Sequence, residues 1–149
     1  MHERSRSVGY VALVALLAAG LGACGSDYKG LTKAQFLQQA NANCEHTSKA
    51  AEALRREVAA APTPEAKAKV YQEKVLPRFD QELDQLAKLK PPKADRDQVN
   101  GIIEQARRDA TDFAALLKRD PLLALAPPTR KFEKSGAAAT AYGLKICVD

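Results

Sequence analysis

Cysteine and histidine are the residue types of this chain that carry nucleophilic or metal-binding chemistry, and both are scarce. The cysteines are Cys24, Cys44 and Cys147, and the histidines are His2 and His46. A transition-metal site needs several histidine, cysteine or carboxylate ligands close together. However, the residues one helical turn before and after His46 are only alanine, asparagine and lysine. The sequence therefore predicts an exposed helical position for His46, with no catalytic residue, metal site or cofactor.

Acidic and aromatic side chains are the other candidates for a site. Six carboxylates fall within the predicted helices or at their ends, namely Glu82, Asp84, Asp95, Asp97, Asp109 and Asp112. Charged residues are mostly exposed in folded proteins, so we expect these six to solvate the surface. Five aromatic residues recur at helical spacing, namely Tyr71, Phe79, Phe113, Phe132 and Tyr142. We expect them in the core, and the alternative is an apolar ligand cleft near Phe79 and Phe113.

The residues before Cys24 have the organisation of an export signal. The charged residues Glu3, Arg4 and Arg6 precede an apolar stretch over residues 8–21, which small residues connect to Cys24. A charged region, an apolar region and a small-residue cleavage site together are typical of a signal peptide. The apolar stretch is shorter than the roughly 20 residues that a permanent membrane span needs. We therefore expect residues 1–23 to be removed rather than retained as an anchor.

The segment Leu21-Gly22-Ala23-Cys24 resembles the lipobox of bacterial lipoproteins. In that family the cysteine receives a diacylglycerol on its sulfur, a peptidase cleaves directly before it, and the new amino terminus can be acylated as well. The resemblance implies a lipid anchor on Cys24 that holds the protein at the extracytoplasmic face of the cell membrane. The alternative is a cysteine within an ordinary secretory leader. Residues 24–31 would form a flexible tether, which reaches about 26 Å from Cys24 to Thr32 when extended.

Proline residues and caps divide the rest of the chain, residues 32–149, into helices. Thr32 with Gln35 matches a capping box, and Thr63 followed by Pro64 matches a second helix start. The inward face expected for the first helix is Leu37, Ala40, Cys44, Thr47, Ala51, Leu54 and Val58. Pro77 lies inside the second helix and cannot donate to the Glu73 carbonyl, so we expect a kink or a break there.

A third and a final helix complete the predicted fold. Asp95 with Gln98 can cap the third helix, although Asn100-Gly101 leaves open whether that helix begins before or after the pair. Asp120-Pro121 starts a short helical piece through Leu125, and Thr129 opens the last helix. The inward positions of that helix are Phe132, Gly136, Ala139, Gly143 and Ile146. Short connections between amphipathic helices predict an all-α domain, an antiparallel bundle of about four helices.

Cys44 and Cys147 remain once Cys24 carries lipid. Two cysteines in an exported domain are usually paired, and helix rises of about 1.5 Å per residue bring their levels close enough to meet. A disulfide closing a loop of this length stabilises a fold by about 4.7 kcal/mol in the chain-entropy model, less any strain. The alternative is two buried free thiols.

The arrangement is also similar to a group of small, uncharacterised actinobacterial lipoproteins. They share an alanine-rich helical domain, an early cysteine, a Leu-Pro in the second helix, a later Pro-Pro, and an ending like Tyr142-Gly143-Leu144-Lys145-Ile146-Cys147. That resemblance spans nearly the whole mature chain and implies no activity.

Charge narrows the classes of partner. The formal charge of +5 falls to about +4 without the leader, and the basic residues form no stripe with aromatic residues between them. Nucleic acid is therefore not an expected partner, whereas a tethered basic domain lies within reach of anionic lipid headgroups. We expect a non-enzymatic interaction module at the cell envelope, with an envelope protein or the lipid surface as its partner. The alternative is a protein that binds a small molecule or lipid in a cleft between helices.

Overall fold

A computed structural model describes the chain over residues 28–144, apart from the side chains of residues 48–50. The α-helices of that range are α1 (Lys33–Ala60), α2 (Pro64–Val70), α3 (Leu76–Lys88), α4 (Arg96–Arg119) and α5 (Glu133–Tyr142). A π-helical segment, Tyr71–Val75, joins α2 to α3. The 3-10 segments are Lys93–Asp95, Pro121–Leu125 and Pro128–Lys131. No strand occurs within residues 28–144, which confirms the all-α prediction with about four long helical units.

The start of α1 follows the sequence signal. The Gln35 amide donates to the Thr32 hydroxyl at 3.3 Å, and the Thr32 amide donates to Gln35 Oε1 at 3.0 Å. Both halves of the capping box are therefore formed. At the other end, the Ala61 amide still donates to the Glu57 carbonyl, and Pro62 follows. This prediction is confirmed in its residues and its geometry.

Pro77 perturbs the second helical unit without interrupting it. Residues 64–88 are helical throughout, and the irregularity is the π-helical segment Tyr71–Val75, which ends two residues before the proline. There the Leu76 amide donates to the Tyr71 carbonyl, five residues back instead of four. Proline has no amide hydrogen and its ring crowds the preceding turn, so a locally wider turn accommodates it. A complete break at Pro77, one of the two expected outcomes, does not occur.

Helix α4 includes Asn100 and Gly101, so the third helix begins before that pair. A Cβ placed on Gly101 would meet no atom within 4 Å, so packing does not require glycine there. Burial of the neighbouring Val99, Ile102 and Ile103 outweighs the roughly 1 kcal/mol that glycine costs in a helix.

The last helix begins later than expected. Thr129 lies in the 3-10 segment Pro128–Lys131, and α5 starts at Glu133. Its end is a C-cap at Gly143, whose φ of 113° favours glycine. The Gly143 amide donates to the Ala139 and Thr140 carbonyls. Ile146, expected to point inward, lies outside the described residues.

Two hydrophobic clusters hold the helices together. The main core consists of Phe36, Ala40, Leu83, Leu86, Val99, Ile102, Ile103, Ala106, Ala139, Tyr142 and Leu144. The end core is smaller, consists of Ala68, Phe113, Leu117 and Ala124, and lies where α2 packs against Pro121–Leu125. The Leu31 amide donates to the Lys90 carbonyl at 2.8 Å, which places the start of α1 beside the end of α3. None of the helices within residues 28–144 has the length and hydropathy that crossing a membrane requires.

Residues 28–31, which the sequence assigns to the tether, pack on the domain. Tyr28 Oη donates to the Pro91 carbonyl at 2.9 Å, and the Arg96 guanidinium lies over the Tyr28 ring. A Cβ on Gly30 would overlap the Pro91 carbonyl oxygen, so only glycine allows this close approach. At full extension the chain from Cys24 to Tyr28 reaches at most about 13 Å.

Candidate functional site

Two of the three cysteines that carry the predicted chemistry, Cys24 and Cys147, lie outside the described residues. Cys44 is half-buried on α1. Lipidation of Cys24 and the pairing of Cys44 with Cys147 therefore stay predictions.

His46 is exposed on α1, as expected. Within residues 28–144, no group of three or more histidine, cysteine, aspartate or glutamate residues has a geometry that could hold a metal ion.

Asp109 corrects the expectation that the acidic residues solvate the surface. Its side chain is 8% exposed and accepts hydrogen bonds from Gln105 Nε2 at 2.8 Å and from the Ser135 amide at 3.3 Å. Ser135 is the third residue of α5, where an amide has no partner within its own helix. A carboxylate from α4 therefore caps α5 and also complements the positive end of the helix dipole.

Asp95 also has a role other than the one expected. It occupies the N-cap position of α4 but makes no side-chain cap hydrogen bond. Its Oδ2 instead accepts from Tyr142 Oη at 2.9 Å, which joins the start of α4 to the end of α5. Burial, followed by the Asp95 hydrogen bond and charge, raises the pKa of Tyr142. Asp95 therefore accepts from Tyr142 and does not form the expected local cap together with Gln98.

Asp84, exposed as expected, takes part in an ion-pair network between α3 and α4. Arg107 Nη1 donates to Asp80 at 2.6 Å and Arg107 Nη2 donates to Asp84 at 2.6 Å. The hydrogen bond with Asp84 is the main reason that the pKa of Arg107 is raised. Both carboxylates are exposed, so this network aligns the two helices rather than forming a reaction centre.

The aromatic residues pack as core, as expected. Phe132 stands edge-on to Phe79 at 5.2 Å between ring centroids and to Phe113 at 6.1 Å. Tyr71 continues the series against Phe113 at 5.6 Å. The space between Phe79 and Phe113, where the alternative interpretation places a ligand cleft, is therefore occupied by Phe132.

A groove opens on the outer side of this aromatic cluster. Its volume is about 220 Å³, and it is lined by Phe113, Leu123, Ala126, Pro127, Pro128, Arg130 and Lys131. Typical small-molecule pockets are larger, at about 300–1,000 Å³. The groove has an apolar floor, and its charged groups are two long cations.

The 3-10 segment that contributes Leu123 to the groove also carries the most exposed large hydrophobic residues of the described chain. Leu122 is 62% exposed and Leu125 is 59% exposed. The exposed pairs Lys118-Arg119 and Arg130-Lys131 flank them in sequence. We call this set of residues the apolar–basic patch and define it as Leu122, Leu125, the groove lining, and these four cations.

The patch was not predicted from the sequence. The local pattern indicates only a short helical piece over residues 121–125 and does not show which of its leucines remain exposed. The available signal was the run Pro121-Leu122-Leu123-Ala124-Leu125 between two pairs of basic residues. Only the packing separates Leu123, which contacts the end core, from Leu122 and Leu125.

The chain matches no protein-family model, no curated protein and no solved structure. A functional assignment therefore depends on the geometry of the molecule.

Proposed function

We propose that this protein is a lipoprotein held at the extracytoplasmic face of the cell membrane through Cys24, and that it acts there as a non-enzymatic interaction module. Residues 1–23 are the signal peptide, residues 24–31 connect the anchor to the domain, and residues 32–149 form an antiparallel bundle cross-linked by Cys44 and Cys147. The observation that carries the functional part is the exposure of Leu122 and Leu125 in a segment that two pairs of exposed cations flank in sequence, of which Arg130 and Lys131 also line the groove with Leu123. Exposed apolar residues grouped with charge are typical of interaction sites.

The roles of the buried polar groups support a module without catalysis. Asp109 caps α5 and Asp95 accepts from Tyr142. Thr47 donates to the Asn43 carbonyl within α1. The two aspartates hold helices together, Thr47 is satisfied within its own helix, and none of the three lines the groove.

The short attachment supports presentation of a surface close to the membrane. Tyr28 and Gly30 are held against Pro91, so the bundle follows Cys24 after a span of about 13 Å at most. A domain held in this way samples a thin layer above the bilayer, which raises its effective concentration toward components of that layer.

Photo-crosslinking in cells tests whether the patch is the contact surface. A photoreactive side chain at Leu122 should form a defined adduct with an envelope protein or with lipid, because that side chain is exposed. The same group at Ala53, an exposed position on α1, is the matched control. Equal and diffuse labelling from both positions would contradict an interaction role for the patch.

The alternative function is binding of a small apolar ligand, and the groove beside Phe113 is the observation that favours it. A ligand there would stabilise the domain by mass action. Native mass spectrometry of protein purified from its own host distinguishes the two functions. A stoichiometric small ligand, whose removal lowers the melting temperature, would favour the alternative over the interaction module.

A further inference from the structure

We propose that the apolar–basic patch binds the surface of an anionic lipid bilayer, with Leu122 and Leu125 inserted among the upper acyl chains and the four cations on headgroup phosphates. This inference rests on the proposed function and names the partner of the same surface. It concerns a second attachment point, distinct from the lipid on Cys24.

The two leucines are arranged for insertion. They are three residues apart in the 3-10 segment Pro121–Leu125, which has about three residues per turn, so they lie on the same side. The Leu122 amide donates to Asp120 Oδ1 at 3.1 Å, so the carboxylate nearest to the leucines in sequence already accepts a hydrogen bond. Leu123 and Ala124 contact the end core from the same segment. The packing of Leu123 and Ala124 therefore holds in place the segment that carries the two exposed leucines.

Charge complementarity favours an anionic partner. Residues 118–131 contain four cations and one carboxylate, which gives 4 − 1 = +3. Among the ion pairs within residues 28–144, none involves Lys118, Arg119, Arg130 or Lys131. In contrast, Lys74 pairs with Glu57 and Arg107 pairs with two aspartates. The patch cations are therefore available to phosphate groups, and long basic side chains can reach headgroups while nearby apolar residues are buried.

The groove distinguishes a bilayer from a defined acidic protein. Apart from Arg130 and Lys131, its lining has only apolar side chains. Specific recognition of a carboxylate on a peptide ordinarily uses well-positioned hydrogen-bond donors. Two flexible cations over an apolar floor suit the mobile phosphates of a headgroup layer better.

The position of the patch defines how the domain would lie. The tether joins the bundle at Tyr28, beside Arg96 at the start of α4, whereas the patch follows the end of α4. A helix of 24 residues is about 36 Å long. If α4 stood perpendicular to the bilayer, the patch would therefore lie far from the membrane. Binding at both points places α4 along the bilayer surface.

A single tryptophan tests this inference in the intact lipidated protein, because the chain has no tryptophan of its own. Leu122→Trp is reconstituted in vesicles of phosphatidylcholine, or of phosphatidylcholine with phosphatidylglycerol, that contain brominated acyl chains. We expect at least twofold quenching of Trp fluorescence in the anionic vesicles, and little quenching in the neutral ones or at high salt. Ala53→Trp on α1 is the matched control and should remain unquenched.

Charge reversal tests the cations. In the Leu122→Trp background, Arg130→Glu with Lys131→Glu should reduce quenching to the level of the control, whereas Lys88→Glu, at an exposed position on α3, should not. Quenching that is absent although the protein floats with the vesicles would overturn the inference and leave the anchor intact. A crosslink from position 122 to one acidic protein, with no lipid adduct, would overturn it as well.

Flotation separates this inference from the lipid anchor. Protein that floats with anionic but not with neutral vesicles would refute the anchor and support the patch. Protein that floats with neither would refute both.

Discussion

Single polar side chains connect the helices of this domain across long sequence separations. Asp109 accepts a hydrogen bond from the amide of Ser135, 26 residues away. Asp95 accepts one from the hydroxyl of Tyr142, 47 residues away. Both carboxylates come from α4 or its N-cap, and both contact α5. The position of the short helix α5 therefore depends on two residues that lie outside it.

Replacing Asp109 tests this dependence. Asp109→Ala leaves the Ser135 amide and Gln105 Nε2 without their acceptor at a buried position, which should lower the free energy of unfolding by about 1–3 kcal/mol. Urea denaturation followed by circular dichroism measures the change. Asp112→Ala, at an exposed position on the same helix, is the control and should stay within about 0.5 kcal/mol of the wild type. Equal effects of the two substitutions would contradict the capping role.

The Tyr142 hydroxyl predicts a loss of stability at alkaline pH. Its pKa is raised in the folded protein by burial and by Asp95, so the folded state keeps the proton after the unfolded chain has lost it. The resulting stabilisation is complete below the unfolded value of about 10 and is lost as pH rises from there toward the folded pKa. In measurements from pH 8 to 11, the denaturation midpoint of the wild type should fall mainly above about pH 10.

Tyr142→Phe removes the titrating group and provides the control for this pH dependence. The pKa of Tyr71 is also raised by burial, so part of the alkaline loss should persist in the variant. A slope between pH 10 and 11 that is the same with and without the Tyr142 hydroxyl would show that Asp95 and burial do not act on it.

At the scale of elements, glycine has opposite consequences at two positions. Gly101 lies within α4 and faces open space, whereas Gly143 has a φ of 113° and approaches Leu37. A Cβ on Gly143 would come within 3.2 Å of Leu37 Cδ1. Backbone conformation therefore decides whether replacing the glycine with alanine stabilises or destabilises the domain at each site.

Alanine at each glycine measures this difference. Gly101→Ala should stabilise the domain by about 0.5–1 kcal/mol, because alanine loses less backbone entropy in a helix. Gly143→Ala should destabilise it by about 1–3 kcal/mol, because a residue with a Cβ is strained at positive φ. Thermal denaturation of the two variants side by side is sufficient. A stabilised Gly143→Ala variant would mean that α5 does not end in the left-handed conformation.

The whole molecule is held by two cores and, as we propose, by a disulfide that connects the first helix to the end of the chain. Gly143 lies against Leu37, and Cys44 is seven residues beyond Leu37 on α1, about 10 Å further along the helix. Cys147 is four positions beyond Gly143, and an extended chain of that length reaches about 13 Å. This reach supports the pairing of Cys44 with Cys147.

Cysteine replacement tests the cross-link at this scale. Cys147→Ser should lower the free energy of unfolding by about 2–5 kcal/mol, as loss of a native disulfide does in small exported domains. Cys44→Ser and the double variant should show the same loss, because either change removes the single bond. Peptide mapping without reductant should recover the joined peptides. Two thiols that react stoichiometrically in the native oxidised protein would refute the pairing.

Local sequence alone determined the all-helical class and most helix ends. The Thr32 capping box and the Thr63-Pro64 start depend on contacts within four residues, so short-range rules suffice for them. The face of α1 was predicted less well. Phe36 is fully buried but was not assigned to the core, whereas Leu37, assigned inward, is half-buried. Periodicity defines a face only to within about one residue.

The tertiary structure decided the features that depend on distant partners. Asp109 becomes a buried cap because the start of α5 packs beside α4, and Asp95 binds Tyr142 because the two helix ends meet. Leu122 and Leu125 are exposed because Leu123 and Ala124 take the places against the end core. These outcomes follow from which surfaces meet. A chain read residue by residue cannot supply that information, because the partners are separated by tens of residues along it.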